Sequence, residues 1–274
     1  MVTLVTGCRS GFGLLIAVSC ARAGHTVYAG LRDLETAGDL RQAAGELPVI
    51  PVQLDVTDPA QREAVIARIE SEHGAVGALV NNAGVALGGF LETLEDHELR
   101  RLFDVNVFSV HALTRRCLPA MRAASTGVIV NVSSTSGILA LPGLGAYASS
   151  KWALEGMTES WRQELRPFGL RTYLVEPGPY KTDIWGRNRT VGAGGFQQDG
   201  PYAAYEARMD AMARKYEDRA GDPQDVADAI LRLIDGPERA LRHVMGPAAG
   251  LRFYAKRLLP FSWIEGAIQR VLKG

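Results

Sequence analysis

A tyrosine and a lysine stand four residues apart in the stretch Tyr147-Ala-Ser-Ser-Lys151. On a helix, side chains at this spacing share one face, so the phenol and the ammonium group would lie side by side. A fixed cation favours the phenolate and lowers the pKa of the tyrosine, which makes the phenol usable as an acid or a base. The same spacing also arises by chance in a surface helix, and the stretch alone leaves both interpretations open.

The residues just upstream form an apolar, β-branched run from Val128 to Val132 that ends in Ser133 and Ser134. Such a run is typical of a buried strand. The end of this strand would bring two hydroxyl groups to the edge of a sheet, and the chain then returns through a glycine-containing segment to Tyr147. We therefore expect a hydroxyl group and the phenol to converge.

Length and composition favour one domain with a substantial core. The chain has 274 residues, of which 47% are hydrophobic and 22% are charged. The 30 Lys and Arg residues balance the 30 Asp and Glu residues, so the net charge gives no indication of a nucleic-acid partner. The 5 histidines lack the spacing of metal ligands, and we expect no metal site.

The three cysteines, Cys8, Cys20 and Cys117, are widely spaced and odd in number, which indicates free thiols in a reducing compartment. The start of the chain shows no secretory signal, and no apolar run approaches the roughly 18 residues of a transmembrane helix. We expect a cytoplasmic protein without a transmembrane segment.

A glycine-rich turn follows the first predicted strand, Val2 to Val5, and precedes a predicted helix from Phe12 to Ala23. Its glycines are Gly7, Gly11 and Gly13, a TGxxxGxG spacing with a longer first gap than GxGxxG. Glycines let the backbone approach a pyrophosphate closely, and the helix start points free amide groups at it. The alternative is a tight turn without a ligand.

The second predicted strand ends near Arg32, where a dinucleotide site meets the adenosine ribose. An acidic residue at the strand tip would select NAD, whereas the guanidinium groups of Arg32 and Arg9 would bind a 2′-phosphate. We therefore favour NADP(H), with NAD(H) as the second choice. Alternatively, Arg32 pairs with Asp33 or Glu35 at the start of a helix.

Asp55 follows the third predicted strand, Val49 to Leu54. It either accepts a hydrogen bond from an adenine amino group or, like Asp58, caps the next helix.

Further along, the pattern from Glu95 to Ala124 predicts one long helix, in which Asn106 either introduces a kink or faces a polar group.

The last third of the chain predicts a strand from Leu170 to Val175, followed by a break at Pro177 and Gly178. The glycine-rich stretch from Thr182 to Gly200 is expected to be irregular, and we predict a substrate lid over residues 183–222. Residues 249–274 are amphipathic and mildly basic. They either cover the substrate entrance, pack against a second subunit or make weak contact with a membrane surface.

Strands and helices alternate along the chain, which implies a doubly wound parallel sheet with ligands at the carboxyl ends of the strands. Over residues 2–240 the chain resembles the short-chain dehydrogenase/reductase family, with further similarity to its 17β-hydroxysteroid and retinol dehydrogenase branch. The motifs that carry the resemblance are Thr6-Gly7-xxx-Gly11-x-Gly13, Asp55, Asn82-Ala83-Gly84, Asn106, Ser134, Tyr147-xxx-Lys151 and Pro177-Gly178. The resemblance implies a single Rossmann-type α/β domain, a central parallel β-sheet flanked by helices, with a helical C-terminal extension.

The resemblance also implies site residues. Tyr147 would exchange a proton with the substrate oxygen, Lys151 would lower its pKa and hold the nicotinamide ribose, Ser134 would orient the substrate, and Asn106 would keep a relay water near Lys151. Ser10 fills the position before Gly11 at which the family has its basic residue, so NADP(H) rests mainly on Arg32. The expected cofactor-binding residues are Gly7, Arg9, Ser10, Gly11, Phe12, Gly13, Arg32, Asp55, Val56, Asn82, Ala83, Gly84, Tyr147, Lys151, Pro177, Gly178 and Thr182.

The activity that this resemblance implies is NAD(P)-dependent interconversion of a secondary alcohol and a ketone on a lipophilic small molecule. A homodimer or homotetramer would form through the helices around Phe108 and Trp152. Two other functions are weighed against this one: a cofactor-binding regulatory or scaffold protein, and an epimerase or dehydratase that recycles its cofactor.

Overall fold

The computed structural model describes residues 1–182, 189–194, 200–203, 205, 208, 220–246 and 249–273. The strands within these residues are β1 (Val2–Thr6), β2 (Thr26–Leu31), β3 (Val49–Gln53), β4 (Ala78–Asn81), β5 (Ala86–Gly88), β6 (Val128–Val132), β7 (Arg171–Pro177), β8 (Arg189–Val191) and β9 (Arg242–Met245). The helices are α1 (Gly11–Arg22), α2 (Gly38–Ala44), α3 (Pro59–His73), α4 (Asp96–Phe103), α5 (Ser109–Ala123), α6 (Gly145–Leu165), α7 (Gln224–Asp235), α8 (Ala249–Leu258) and α9 (Phe261–Lys273).

Seven parallel strands form the central sheet in the order β3-β2-β1-β4-β6-β7-β9. Their short apolar runs are buried on both faces, as expected for a parallel sheet covered by helices. Adjacent residues of a strand serve opposite cores: on β1, Leu4 packs with α3, α5 and α6, and Val5 packs with α1 and α7. The predicted doubly wound α/β fold is confirmed.

The predicted long helix is interrupted by a π-helical segment, Asp104–Phe108, between α4 and α5. Asn106 lies in the middle of this segment and is buried. A π-turn inserts a residue into the helical repeat and so re-aims a side chain that would otherwise follow the α-helical face. Both effects considered for Asn106, a distortion and a polar partner, are therefore present.

Part of the stretch expected to be irregular is in fact paired. Strand β8, at residues 189–191, runs parallel to β5 in a separate two-stranded sheet. The Ala193 N–H donates to Glu98 Oε1 at 2.7 Å, and the Tyr202 hydroxyl donates to Glu92 at 2.6 Å. These contacts attach residues 189–194 and Tyr202 to β5 and to Glu92 and Glu98. Most of the predicted lid over residues 183–222 lies outside the described residues.

The C-terminal extension is helical, as expected. Its α8 and α9 pack against each other, and Lys256 lies over the rings of Trp152, at 5.0 Å, and Phe261, at 4.7 Å. Phe261 and Trp263 remain largely exposed. None of the helices described is both long and apolar enough to span a bilayer.

Candidate active site and dinucleotide cavity

The turn between β1 and α1 can be built only with glycine at two positions. Gly7 has φ +73°, and a Cβ there would lie 2.9 Å from the Ala83 Cα. A Cβ on Gly13 would lie 2.2 Å from the Gly7 carbonyl oxygen, so α1 presses directly against the turn. Gly11 also has a positive φ, +57°. This close packing leaves the backbone of the turn open to a ligand from the other side.

Residues at the end of β4 hold this turn in place. The Asn82 side-chain amide donates to the carbonyl oxygens of Thr6, at 2.8 Å, and Gly7, at 3.3 Å. The Thr6 hydroxyl oxygen accepts hydrogen bonds from the backbone N–H groups of Asn82 and Ala83 at 3.0 and 2.9 Å. Asn82 is therefore a support of the cavity, and its amide protons are already used within the chain.

A cavity of about 440 Å³ opens above the glycine turn. The Thr182 side chain also lines this cavity and would lie 3.4 Å from a Cβ on Gly11. The predicted cofactor residues that line it are Gly7, Arg9, Ser10, Gly11, Phe12, Arg32, Asp55, Val56, Asn82, Ala83, Gly84 and Thr182.

The donor set of this cavity fits a dinucleotide. The side chain of Ser10, the residue before α1, makes no capping bond, so the first amide groups of the helix have no side-chain acceptor from that residue. Such a helix start attracts a phosphate through its free N–H groups and its dipole. Gly13 lies beneath the turn, and Tyr147, Lys151, Pro177 and Gly178 are not part of the cavity wall.

The cavity wall carries two arginines. Arg9 and Arg32 are exposed, and neither forms an ion pair within the described part of the chain. Asp33 does not pair with Arg32; its Oδ1 accepts from the Glu35 N–H at 3.0 Å and so holds a short turn. The alternative in which Arg32 pairs with Asp33 or Glu35 is not seen.

Asp55 and Asp58 differ in what their carboxylates do. Asp58 caps α3 by accepting hydrogen bonds from the N–H groups of Ala60 and Gln61. Asp55 instead accepts from the backbone and the hydroxyl of Thr57 through a single oxygen, Oδ1, at 2.9 and 2.7 Å. Asp55 therefore holds a turn at the cavity wall, and the helix cap belongs to Asp58.

The start of α6 places Tyr147 and Lys151 on one buried face, with 4% and 5% exposure. The Lys151 ammonium donates to the Val132 carbonyl at the end of β6 at 3.0 Å and lies 5.7 Å from the centre of the Tyr147 ring. Ser134 hydrogen-bonds to the Tyr147 hydroxyl, and its Oγ accepts from the Ser136 N–H at 3.1 Å. The predicted convergence of a hydroxyl and the phenol is therefore present.

Burial controls the protonation of this group. It raises the pKa of Tyr147 to about 12, and the hydrogen bond from Ser134 only partly opposes the rise. Burial likewise lowers the pKa of Lys151 to about 8, against the attraction of the Glu155 carboxylate. The lowering of the Tyr147 pKa expected from the YxxxK spacing is thus not produced by the chain itself, because removal from water outweighs the nearby cation.

Asn106 holds the segment that follows β4. Its Oδ1 accepts from the Val85 N–H at 3.0 Å, and its Nδ2 donates to the Val85 carbonyl and to the Ser150 hydroxyl, both at 3.0 Å. A Cβ on Gly84 would lie 3.4 Å from Asn106 Oδ1 and 3.7 Å from Lys151 Nζ. Asn106, Gly84 and Lys151 therefore lie together, and the Asn106 side chain is engaged in supporting the backbone.

Pro177 is the last residue of β7, and Gly178 follows it at the carboxyl edge of the sheet. The Gly178 N–H donates to the Met245 carbonyl at the end of β9 at 2.8 Å, and a Cβ on Gly178 would meet this oxygen at 3.3 Å and Thr135 at 3.8 Å. This glycine thus joins β7, β9 and the loop that carries Ser134.

Two groups of residues near the site were missed by the sequence analysis. The first comprises further residues of the cavity wall, among them Asp33, Thr36, Leu54, Thr57, Arg101 and Asp104. The second is a buried ionic cluster of Glu155, Glu176 and Arg242 below Lys151. A charged residue within an apolar strand, at Glu176, and a carboxylate one helical turn after Lys151 were the available signs of the second group.

A doubly wound parallel sheet with a glycine turn after its first strand defines a class of dinucleotide-binding protein. Residues 1–191 match the short chain dehydrogenase family, and the chain belongs to this family of NAD(P)-binding oxidoreductases. It is 39% identical to an uncharacterized oxidoreductase, YusZ, from Bacillus subtilis, with 99% of this chain and 98% of the relative covered.

The predicted branch is represented among the relatives. The chain is 33% identical to human 17-beta-hydroxysteroid dehydrogenase type 1, covering 94% of this chain and 79% of the human protein. It is 34% identical to bovine retinol dehydrogenase 8, covering 95% and 90% respectively. The crystal structure of a short-chain dehydrogenase from Streptomyces avermitilis superposes with a TM-score of 0.84 at 33% identity, over 99% of this chain and 96% of that one.

Proposed function

We propose that this protein is an NADP(H)-preferring oxidoreductase that interconverts a ketone and a secondary alcohol on a lipophilic substrate. The observation that carries the proposal is the Ser134–Tyr147 hydrogen bond with the buried Lys151 ammonium behind it. The group lies at the carboxyl ends of β6 and β7, where ligands of a doubly wound sheet bind.

Each of the three side chains has a distinct task in this proposal. Ser134 donates a hydrogen bond to the substrate oxygen, and Tyr147 gives its proton to that oxygen as negative charge develops there. Lys151 stabilises the phenolate that remains. The bound dinucleotide supplies the hydride. A Tyr147 pKa of about 12 keeps the phenol protonated at neutral pH, which is the form that carbonyl reduction requires.

The proposed preference for NADP(H) is supported by the two exposed arginines of the cavity wall. Arg9 and Arg32 make no ion pair within the described residues, and the carboxylate of Asp33, which also lines the cavity, accepts the Glu35 N–H instead. A 2′-phosphate would receive charge-assisted hydrogen bonds from them.

The proposed lipophilic substrate is supported by two observations. Leu91 is 61% exposed and lies against Gly145, where a Cβ would be 2.8 Å from its Cγ, two residues before Tyr147. Exposed apolar surface therefore lies beside the first turn of α6, which carries Tyr147. Two relatives are named for a hydroxysteroid and for retinol, both lipophilic molecules.

Other parts of the proposal concern partners and location. Phe108 and Trp152 are 59% and 46% exposed, which supports a homodimer or homotetramer that buries them. The exposed Phe261 and Trp263 of the C-terminal extension support weak contact with a membrane surface by a protein that is otherwise cytoplasmic.

The decisive experiment follows NADPH oxidation with a panel of lipophilic ketones, in the wild type and in Tyr147→Phe. We expect the variant to lose turnover by roughly 100-fold or more, since a positioned general acid contributes that much, while NADPH binding measured by fluorescence persists. Tyr173→Phe is the matched control. It alters a different, fully buried tyrosine, which lies on β7, and should keep its activity.

Each alternative function predicts a different result. Full turnover in Tyr147→Phe would refute the proposed mechanism. Product formation without net oxidation of NADPH would indicate an epimerase or dehydratase that recycles its cofactor. Cofactor binding without turnover on any ketone or alcohol would favour a regulatory or scaffold protein.

A further inference from the structure

A buried ionic cluster lies directly below the proposed catalytic pair. Glu155, on α6, and Glu176, at the end of β7, are 5% and 0% exposed. Arg242, on β9, donates through Nη1 to Glu155 Oε2 and to Glu176 Oε1, the latter at 2.8 Å. Its Nη2 also reaches Glu159 at 3.1 Å. Two carboxyl groups are thus removed from water with a single guanidinium between them.

The cluster is connected to the site through α6. Tyr147, Lys151, Glu155 and Glu159 follow one another at intervals of four residues, so they form a row along one side of the helix. Lys151 lies one turn from Glu155, about 6 Å along the helix axis. Within the described part of the chain, Glu155 is the carboxylate that raises the pKa of Lys151 against the effect of burial.

The two buried carboxyl groups do not share the charge equally. Burial and the neighbouring Glu155 carboxylate raise the pKa of Glu176, which favours its protonated form. Burial also raises the pKa of Glu155, but the Arg242 guanidinium, which donates to Glu155 Oε2, opposes that rise. The charged or titratable groups around Lys151 and Glu155 are therefore Tyr147 and Glu159 on α6, Glu176 on β7 and Arg242 on β9.

We propose that Glu155 is a positioning residue that keeps the Lys151 ammonium charged at neutral pH, and that Arg242 holds Glu155 in its carboxylate form. This inference rests on the proposed role of Lys151 in catalysis. It assigns a function to β9, which lies beyond the residues that match the family. Glu176 completes the site as a neutral acid and supplies no charge to Lys151.

The first test is the pH profile of kcat/KM for ketone reduction. In the wild type, activity should fall above about pH 8, where Lys151 loses its proton. Glu155→Gln should move this alkaline limb down by about one pH unit, because a nearby opposite charge shifts a pKa by that order. Glu159→Gln is the matched control on the same helix, with a side chain 61% exposed, and should leave the limb in place.

Two further variants separate charge from packing. Glu155→Asp retains a carboxylate and should restore the limb at least in part. Glu176→Gln retains the neutral form proposed for that residue and should not move the limb. If Glu155→Gln does not fold, Arg242→Lys, which weakens the hold on the carboxylate, should give a smaller shift in the same direction.

A second readout does not depend on activity. The pKa of Lys151 is lower in the folded protein than in the unfolded chain, so above about pH 8 the unfolded chain holds more protons at this lysine. The contribution of Lys151 to the free energy of unfolding therefore rises with pH in this range. The rise is measured as the difference between urea titrations of the wild type and of Lys151→Met, because the buried thiols of Cys8, Cys20 and Cys117, whose pKa values burial raises, change the stability with pH in both proteins. In Glu155→Gln the rise should begin at lower pH.

The outcomes distinguish this inference from the proposed function. If no ketone is reduced but the rise in stability moves in Glu155→Gln, the coupling stands and the proposed function falls. If the rise and the alkaline limb are the same in Glu155→Gln and the wild type, the inference is wrong. An equal shift in Glu159→Gln would also overturn it, because an exposed carboxylate would then act as strongly as the buried one.

Discussion

Arg32 is the single side chain on which the proposed choice of cofactor depends most. Replacing it by alanine removes charge-assisted hydrogen bonds to a 2′-phosphate, each worth about 1.5–3 kcal/mol. We expect Arg32→Ala to weaken NADPH binding by roughly 10- to 100-fold and to change NADH binding little. Dissociation constants from nicotinamide fluorescence measure both.

Arg22→Ala is the control for this change, because Arg22 is exposed at the opposite end of α1 and its loss alters the net charge equally. A wild type that binds NADH as tightly as NADPH would contradict the assignment, as would an equal loss in the two variants.

Single residues show both the strength and the limit of reading the sequence. The spacing of Gly7 and Gly13 predicts a turn that approaches a ligand, and the contacts of 2.9 and 2.2 Å that a Cβ would make explain why glycine stands there. The chain alone does not lower the pKa of Tyr147 as the spacing predicts, because spacing reveals the neighbouring lysine and not the depth of burial. The amide bonds of Asn82 could not be foreseen, since they depend on β1 and β4 being adjacent.

At the scale of elements, the π-helical segment serves to aim Asn106 at the backbone of Val85. Asn106→Ala would leave the Val85 N–H and carbonyl without partners in a largely buried site. Each unpaired buried group costs about 1–3 kcal/mol, so we expect the free energy of unfolding to fall by about 2–4 kcal/mol. Urea unfolding followed by circular dichroism measures the change.

The exposed Gln163 on α6 provides the reference, and Gln163→Ala should shift the free energy of unfolding by less than about 0.5 kcal/mol. Equal, small effects in both variants would show that Asn106 does not support this segment.

The elements that the sequence predicts well are those whose pattern is local. β6 is a continuous apolar run, and it is buried throughout. β9 contains Arg242 and His243, has no apolar repeat, and becomes a strand because β7 offers it a parallel edge. β5 and β8 have three residues each, and both are strands because they pair with each other. Such elements depend on tertiary contacts, which propensity and periodicity do not contain.

At the scale of the whole molecule, the C-terminal quarter divides into an integral part and an outer part. α7 buries Val226, Ile230, Leu233 and Ile234 against the central sheet, and β9 completes that sheet. α9 packs against α8 and leaves Trp263 66% exposed.

We therefore expect a chain ending at residue 259 to keep its fold, with the free energy of unfolding within about 2 kcal/mol of the full chain, a range typical of changes outside the core. A chain ending at residue 221 should not fold, because the part of the sheet face that α7 covers would be exposed and β7 would lose its neighbour β9. Circular dichroism and urea titration compare the two with the full chain. A cooperatively folded 1–221 chain would contradict the expectation of a single domain over residues 1–274.

The position of Arg242 has a consequence for the order in which the molecule acquires its properties. The cavity wall is formed by residues no later than Val105, together with Thr182, and its strands β1 to β4 are close in sequence. Arg242 follows Glu155 by 87 residues and is synthesised only after the residues up to Val105 that supply most of the cavity wall. A newly synthesised chain therefore gains the surface that receives the dinucleotide before the ammonium group of Lys151 has its full electrostatic support.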